Sequence, residues 1–256
     1  VLALPRRMSL RAYLVLLGVG AMLPFVVVSG VLLLRLLQDN RVSVERTLIT
    51  SAREQATALD SEMAATIRTL EALAVSSRLD SGDLGGFEAE VRRAATTQRW
   101  LAVRVVTPDP PAVVFDTSEP PGTRLPVVDP ASLAVSARDR APVVAPLRRS
   151  PKGVLAFAIR VPVIREGAVR WVLTAILTPA TISDVITRET LPTNEWTRTV
   201  VDSAGVVVAR TRDPERYVGT PATDPFRGRT TVSHEGFYQD TSLDGAAVYV
   251  AFSHSH

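Results

Sequence analysis

The sequence predicts an α+β fold in which an N-terminal transmembrane helix precedes a long amphipathic helix and two units with antiparallel sheets. Three observations predict this fold class. An uncharged apolar run lies near the N-terminus, and helical periodicity follows it without Pro or Gly. The rest of the chain alternates short β-branched runs with turns rich in Pro and Gly, which is typical of antiparallel strands.

The composition excludes several classes of protein. The chain has 256 residues and no cysteine, which rules out a disulfide framework, a thiolate metal site and a cysteine nucleophile. Lys and Arg number 29 against 26 Asp and Glu, and Arg6, Arg7 and Arg11 account for the excess. Because the remaining charges balance, the sequence predicts no basic face for nucleic acid.

The apolar run Ala12–Leu34 is long enough to cross a membrane, since about 20 apolar helical residues span the hydrocarbon. Only positive charges precede it, whereas charges of both signs follow it. The positive-inside rule therefore assigns residues 1–11 to a cytoplasmic tail, 12–35 to a transmembrane helix and the rest to the extracytoplasmic side. The alternative, a cleaved signal peptide, has a shorter apolar region and a small-residue cleavage site, so an uncleaved anchor is favoured.

Residues 36–80 are predicted to form a long stalk helix. Apolar residues recur there at steps of three and four, which places them on one face of a helix. Small residues on that face allow a second helix to approach, either from a twin chain in a homodimer or from the domain's own surface. The pattern leaves both partners open. The residues of this apolar stripe are Val44, Leu48, Ala52, Ala56, Leu59, Met63, Ile67, Leu70 and Ala74.

Residues 81–180 are predicted to form the first α/β unit. A helix at Pro130–Arg138 follows Asp129, a typical N-cap, and a second at Thr178–Arg188 has Pro in its first turn. A turn with Glu166 and Gly167 joins the last two strands. The remaining predicted elements are a helix at Phe87–Thr96 and strands at Trp100–Val106, Ala112–Asp116, Val143–Leu147, Val154–Val163 and Ala168–Leu177.

Residues 181–256 are predicted to form a second, smaller unit. Two hairpin turns, one at Asp202–Gly205 and one at Asp244–Gly245, separate its strands, and a loop carries Tyr217. The four strands are Trp196–Val201, Val206–Arg210, Gly236–Thr241 and Ala246–Phe252. Four strands would leave an unpaired edge, so we expect this unit to be incomplete, as in a fragment of a longer chain.

This order of elements resembles the double Cache sensor domains of bacterial transmembrane receptors, in particular those of sensor histidine kinases. The similarity covers roughly residues 36–256. It is carried by WLAVRVVTPDPPAVVFDTS, VPVIREGAVRWVLTAIL, TRTVVDSAGVVVARTRDPERYVGTP and GFYQDTSLDGAAVYVAF. The resemblance implies a membrane-distal PAS-like lobe at 81–180 and a membrane-proximal lobe at 181–256. It also implies a bacterial inner-membrane location, with the residues after about 36 in the periplasm. The motif of amino-acid-binding members is not recognisable, so the resemblance implies no particular ligand.

Residues for catalysis or for binding a metal or cofactor are not found in the sequence. His234, His254 and His256 are the only histidines, and none lies in a nucleophile or metal motif. No phosphate-binding loop is present. We therefore expect this segment to be no enzyme and to hold no cofactor.

Five residues are candidates for a small-ligand site in the distal lobe. Arg104 lies inside an apolar strand with Trp100 four residues before it, so we expect both on one face. Asp116 ends the next strand, Arg124 lies in a Pro-rich loop, and Arg160 interrupts another apolar strand. A guanidinium on an inner face requires a carboxylate, either Asp116 or a small anionic ligand such as an organic acid. Alternatively, both strand arginines alternate onto the solvated face.

The sequence therefore predicts the extracytoplasmic small-ligand sensor of a membrane receptor, with a hybrid sensor histidine kinase of a two-component system favoured. The same module could instead precede a chemoreceptor or a diguanylate cyclase. A third interpretation is a membrane-anchored scaffold without a ligand, in which the stalk helix forms the dimer.

Overall fold

The computed structural model describes residues 10–120, 123, 125–150, 152–188 and 196–255. The chain divides into two compact units, with the boundary between Ser51 and Ala52. A long helix, α1, runs over Leu10–Ala74 and contributes residues to both.

The N-terminal unit consists of the first part of α1. Several of its large apolar side chains are exposed, among them Met22, Phe25 and Val26. Among the helices described, none is both long and apolar enough to qualify as a membrane span. The transmembrane assignment of 12–35 therefore stays a prediction, and the tail at 1–9 lies outside the described residues.

The second part of α1 packs against the core of the larger unit. Its stripe residues Ala56, Leu59, Leu70 and Ala74 are buried, and Met63 packs partly buried beside them. Of the two partners left open by the sequence, the structure shows the domain's own surface for this part of the stripe. The buried stripe explains why α1 is amphipathic here.

The stalk helix ends at Ala74, short of the predicted boundary at 80. A separate helix, α2, follows at Ser77–Ser81. The Ser76 hydroxyl donates to Glu90 at 3.0 Å, and the Arg165 guanidinium donates to the Ala74 carbonyl at 2.9 Å. These tertiary contacts satisfy polar groups where the helix ends, which is why periodicity alone does not locate the break.

A six-stranded antiparallel sheet forms the centre of the larger unit. Its order is β2-β1-β6-β5-β3, with β4 paired to β5 beside this path. The strands are β1 (Ala102–Pro108), β2 (Pro111–Asp116), β3 (Val143–Val144), β4 (Arg148–Arg149), β5 (Leu155–Arg165) and β6 (Ala168–Leu177).

Helices cover both faces of this sheet. On one face, α3 (Leu84–Gln98) and α5 (Pro179–Thr187) join α1 in the main hydrophobic cluster, which includes Val103 and Val105 of β1. On the other face, α4 (Pro130–Asp139) covers only one end of the sheet, where its Leu133 packs on Val106. The uncovered part of that second face is where the candidate site lies.

Two details of the first unit differ from the sequence prediction. The strand predicted at Val143–Leu147 is shorter in the structure: β3 ends at Val144, before Pro146, and a separate strand, β4, begins beyond the predicted range at Arg148. Proline lacks the N–H that a ladder needs. The strand predicted from Trp100 begins at Ala102. The β5–β6 turn is confirmed, since Glu166 and Gly167 have φ values of 51° and 76°.

The last part of the chain forms two separate two-stranded antiparallel sheets. One pairs β7 (Thr199–Val201) with β8 (Val207–Arg210), and the other pairs β9 (Glu235–Thr241) with β10 (Ala247–Ser253). Between the two hairpins lie the short helices α6 (Pro214–Tyr217) and α7 (Asp224–Thr230), where the sequence predicted only a loop.

The last part of the chain shares its core with the first sheet. Val208 and Ala209 of β8 belong to the same buried cluster as α5 and the first sheet. The predicted division at residue 180 therefore falls inside one compact unit, and as a domain boundary it stays a prediction.

Candidate functional site

A row of polar side chains crosses four neighbouring strands on the partly covered face of the sheet. Arg104 of β1 is opposite Asp116 of β2 on one side and opposite Thr174 of β6 on the other. Thr174 is in turn opposite Arg160 of β5. Residues directly opposite each other share a face, so the strand register brings these four side chains together.

Asp116 holds Arg104 in place. Its Oδ2 accepts from Arg104 Nε at 2.5 Å, and its Oδ1 accepts from the Ser118 amide at 2.7 Å and the Ser118 hydroxyl at 2.6 Å. Burial raises the pKa of the Asp116 carboxyl, but the hydrogen bonds from Ser118 and Arg104 outweigh it, so the pKa lies below the ordinary value. Asp116 is therefore an ionised, almost fully enclosed carboxylate.

Arg104 has donors to spare. Among the described residues, the structure gives a hydrogen-bond partner only to its Nε, which is bound to Asp116. Its side chain lines the cavity described below. The two terminal nitrogens of a guanidinium form the edge that binds a carboxylate in bidentate fashion, so this edge can receive an anion.

Arg160 is buried among neutral acceptors, with 3% of its surface exposed. Its Nε donates to the Ser132 hydroxyl at 2.8 Å and its Nη1 to the Thr174 hydroxyl at 3.2 Å. Its Nη2 donates to the carbonyls of Val128 and Asp129, at 2.8 and 3.2 Å. Burial lowers the pKa of Arg160 to about 10, so the guanidinium stays charged at neutral pH without a carboxylate among these partners.

Asp129 adds an unused acceptor beside Arg160. It precedes α4 with a φ of 57°, and its Oδ1 accepts from the Ser132 amide at 3.5 Å. Its Oδ2 is buried and has no hydrogen-bond partner among the described residues. A buried carboxylate oxygen without a partner is unusual in folded proteins, which makes it a candidate ligand contact.

A cavity of about 320 Å³ lies over the polar row, within the size range of small-molecule sites. Beside that row its floor is formed by Ala102, Ile176 and Ala158, which are opposite one another on β1, β6 and β5. Pro146 and Val154 contribute apolar wall. The cavity is thus an apolar cup with a cationic end.

The charges around the cavity leave an excess of positive charge. Arg104, Arg148, Lys152 and Arg160 line it together with Glu119 and Asp129. Arg104 pairs with Asp116 and Lys152 pairs with Glu119, so both these cations have direct partners. Among the described residues, these four cations stand against three carboxylates, those of Glu119, Asp129 and Asp116, so one cation remains in excess and the cavity is suited to a small anion.

The structure brings together three of the five candidates from the sequence, namely Arg104, Asp116 and Arg160. Neither strand arginine lies on an open solvated face. Arg124 lies outside the described residues. Trp100 is not at the cavity but is buried in the main hydrophobic cluster. Because Trp100 precedes the first strand residue, Ala102, strand alternation does not extend to it. The prediction that Trp100 and Arg104 share a face is therefore wrong.

Sequence reasoning missed Thr174, Ser118 and the second role of Asp129. Thr174 follows an apolar run like many strand threonines, and only the strand order places it between two arginines. Asp129 was identified as an N-cap, which it is, but its buried second oxygen has no signature in sequence. Lys152 also lines the cavity, and as the only lysine of the chain it could have been singled out by composition.

His234 and His254 lie far from this cavity in sequence and contact each other, with ring centroids 5.2 Å apart. In the part of the chain that the structure describes, no three His, Asp or Glu side chains are grouped as metal ligands. His256 lies outside the described residues.

No protein-family model and no curated protein sequence matches the chain. Solved structures do match its fold. An extracellular domain assigned to a histidine kinase, rpHK1S-Z16, is 15% identical with a TM-score of 0.66, over 85% of this chain and 90% of that one. The ligand-binding domain of the Pseudomonas fluorescens chemoreceptor CtaA, in complex with L-serine, is 14% identical with a TM-score of 0.60, over 82% and 89%.

A third match is the ligand-binding domain of the Pseudomonas aeruginosa chemoreceptor PctC in complex with GABA. It is 17% identical with a TM-score of 0.55, over 82% of this chain and 99% of that one. At such low identities the comparisons establish the fold. This chain has the fold of the extracellular ligand-binding domains of histidine kinases and chemoreceptors, as its resemblance to double Cache domains predicted.

Proposed function

We propose that this chain is the extracytoplasmic sensor module of a membrane receptor and that it binds a small anion, such as an organic acid, on Arg104 and Arg160. The observation that carries the proposal is the polar row under the cavity. It presents the unpartnered edge of Arg104 beside a buried Arg160 whose hydrogen-bond partners are all neutral.

The physical reason is the cost of burying charge. Removing a guanidinium from water costs several kcal/mol unless a carboxylate and further hydrogen bonds compensate. Asp116 compensates Arg104 through a direct ion pair, whereas Arg160 is hydrogen-bonded only to hydroxyl and carbonyl oxygens and has the Asp129 carboxylate as a nearby counter-charge without a hydrogen bond to it. The Cα atoms of the two arginines are two strand spacings apart, about 10 Å, so one small anion between them can reach both guanidinium groups.

A membrane receptor is the setting we propose for this sensor. The uncharged run Ala12–Leu34 would anchor it, and the exposed apolar side chains of α1, such as Phe25 and Val26, would then face lipid. The stripe residue Val44 is exposed, which supports a role of this part of α1 in a homodimer.

A two-component histidine kinase is the favoured receptor class. The structural match to an extracellular domain assigned to a histidine kinase supports this choice. The chemoreceptor matches support the alternative, because the same fold precedes that output.

Asp129 favours a second candidate ligand, an amino acid. Asp129 lines the same cavity as Arg104, and its Oδ2 is buried without a hydrogen-bond partner among the described residues. The carboxylate of an amino-acid ligand would bind Arg104 and its ammonium group would bind Asp129, so the charges of both side chains would be neutralised. Two of the matched chemoreceptor domains bind L-serine and GABA, which supports this candidate.

Calorimetric titration of the full chain in lipid nanodiscs tests the proposal. The probes are butanoate, succinate, alanine and 2-aminobutanoate. Arg104→Gln should weaken the binding of those probes that the wild type binds by about 10- to 100-fold, since a charge-assisted hydrogen bond contributes about 1.5–3 kcal/mol. Arg170→Gln, at an exposed arginine paired with Glu166, is the matched control and should bind like the wild type.

The panel also separates the two ligand classes. If the ligand is an amino acid, Asp129→Asn should remove the preference for 2-aminobutanoate over butanoate. If the ligand is an organic acid, this variant should bind butanoate at least as well as the wild type does. The anion site would be disproved if Arg104→Gln bound every probe with wild-type affinity.

A further inference from the structure

We propose that the ligand carries an apolar body of about 7 Å next to its anionic group, and that Ala102, Ile176 and Ala158 select this body. The inference rests on the proposed anion site and extends it, because it describes the part of the ligand that the arginines do not contact. It applies equally to an organic acid and to an amino acid.

The first step is the geometry of the sheet face. Ala102, Ile176 and Ala158 form the row adjacent to Arg104, Thr174 and Arg160, two residues along each strand. Two residues of a strand span about 7 Å. A group attached to an anion on the polar row therefore reaches the middle of this apolar row when it extends about that far.

The second step is the direction in which the ligand can extend. On one side of the polar row the sheet is already covered, because Leu133 of α4 packs on Val106 and Val172. On the other side the cavity continues over Ala102, Ile176 and Ala158. The cavity also reaches Val106 and Val113 on the first side, but Leu133 already packs there, so we place the ligand body on the second side.

The third step is the shape of this row. An alanine stands on each side of Ile176, and the two small side chains leave a shallow trough beside it that larger side chains would fill. Pro146 and Val154 enclose it with further apolar surface. A methylene chain or a ring fits such a trough.

The fourth step excludes a second charge near the first. A short dicarboxylate would place its second carboxylate over Ile176 and the two alanines, whose side chains offer no hydrogen-bond donor, whereas Arg148, which also lines the cavity, is opposite Ala156, one row further along β5. An unpaired charge in an apolar setting costs far more than the attraction of the arginines returns. The trough therefore selects against succinate-like ligands.

Calorimetry on the full chain in nanodiscs tests the inference with two matched series. The first is acetate, butanoate and hexanoate, and the second is glycine, 2-aminobutanoate and norleucine. In at least one series affinity should rise about three- to fourfold per methylene, the usual gain for burying such a group. Pentanoate should bind at least about tenfold more tightly than succinate.

Ala158→Leu places a larger side chain in the trough. It should abolish the rise in affinity with the chain length of the probe, while the shortest probes, acetate and glycine, should still bind. Ala134→Leu is the control, since Ala134 is exposed on α4. If Ala158→Leu by itself lowers the thermal stability of the protein, the chain-length series measured on the wild type still tests the inference.

The inference would be overturned if acetate bound as tightly as hexanoate and glycine as tightly as norleucine. It would also be overturned if succinate bound more tightly than pentanoate. Either result would leave the anion site standing. Failure of every probe in both series to bind would overturn the anion site as well.

Discussion

Asp116 is a positioning residue, because it orients Arg104 instead of facing the cavity. Its side chain is 1% exposed, and both its oxygens are occupied, by Ser118 and by Arg104 Nε. With Nε bound in this way, the terminal nitrogens of Arg104 are left for a ligand. Asp116, which in the sequence only marks the end of a strand, is thus part of the binding site that we propose.

The lowered pKa of Asp116 predicts a pH dependence of stability. The stabilisation by its carboxylate should be complete above about pH 4 and lost as the pH falls through the lowered pKa of the folded chain. We therefore expect the free energy of unfolding of the wild type to fall more steeply below about pH 4 than that of Asp116→Asn.

Urea unfolding followed by circular dichroism over this pH range measures the effect. Ser118→Ala removes the hydroxyl that donates to Asp116 and should shift the acid-induced loss to higher pH. Parallel pH profiles of wild type and Asp116→Asn would contradict the prediction.

Which candidate residues the sequence could identify depends on how local their signal is. Arg104 and Arg160 stand out because each interrupts an apolar strand, and that signal needs only neighbouring residues. Trp100 was misplaced because the start of a strand depends on pairing. Its amide bonds to the Ala95 carbonyl at 3.0 Å, which extends the end of α3 and not the sheet.

At the scale of elements, the second part of α1 is held by its apolar stripe. Leu70 is 0% exposed at the centre of the contact with the core, whereas Val75 just beyond the helix is 75% exposed. Helical periodicity predicted the apolar stripe, and tertiary contacts decided that the stripe in the second part of α1 packs on the chain's own core.

Leu70→Ala should therefore lower the free energy of unfolding by about 2–5 kcal/mol, since it removes buried methyl groups and leaves a cavity. Val75→Ala should change it by less than about 0.5 kcal/mol. Urea denaturation of both variants measures these values. A Leu70→Ala change as small as that of Val75→Ala would show that this part of α1 does not depend on the contact.

The turn of the β5–β6 hairpin illustrates an element that local chemistry determines almost completely. Its two turn residues both take positive φ, and the strand after it, Ala168–Leu177, has the predicted bounds. The short helices α6 and α7 were missed because they are only a few residues long and lack periodicity.

At the scale of the whole molecule, Asp202 connects the wall of the cavity with the last part of the chain. Its Oδ2 accepts from the Leu147 amide at 2.8 Å, and its Oδ1 accepts from the Ala204 and Val206 amides, each at 2.9 Å. Leu147 lies between two cavity-lining residues, Pro146 and Arg148. One turn carboxylate therefore holds both the β7–β8 turn and the cavity wall.

Asp202→Ala should free the Leu147 amide, and hydrogen exchange at that amide should become about 5- to 150-fold faster, as expected when a bond worth about 1–3 kcal/mol is lost. Exchange measured by NMR or mass spectrometry checks this. Asp244→Ala, in the β9–β10 turn, is the control because Asp244 pairs with Arg210 and not with the wall. Unchanged exchange at Leu147 in Asp202→Ala would show that the wall is held by other contacts.

The sequence by itself determined the main elements of this protein: the long amphipathic helix, most of the antiparallel strands and the turns that join them. These features follow from periodicity and turn chemistry, which act over a few neighbouring residues. Only the tertiary structure decided the site, because Asp116, Arg104, Thr174 and Arg160 come from four strands and meet through strand order and register. Side chains far apart in sequence share a surface only after the backbone hydrogen bonds of the sheet have set their positions.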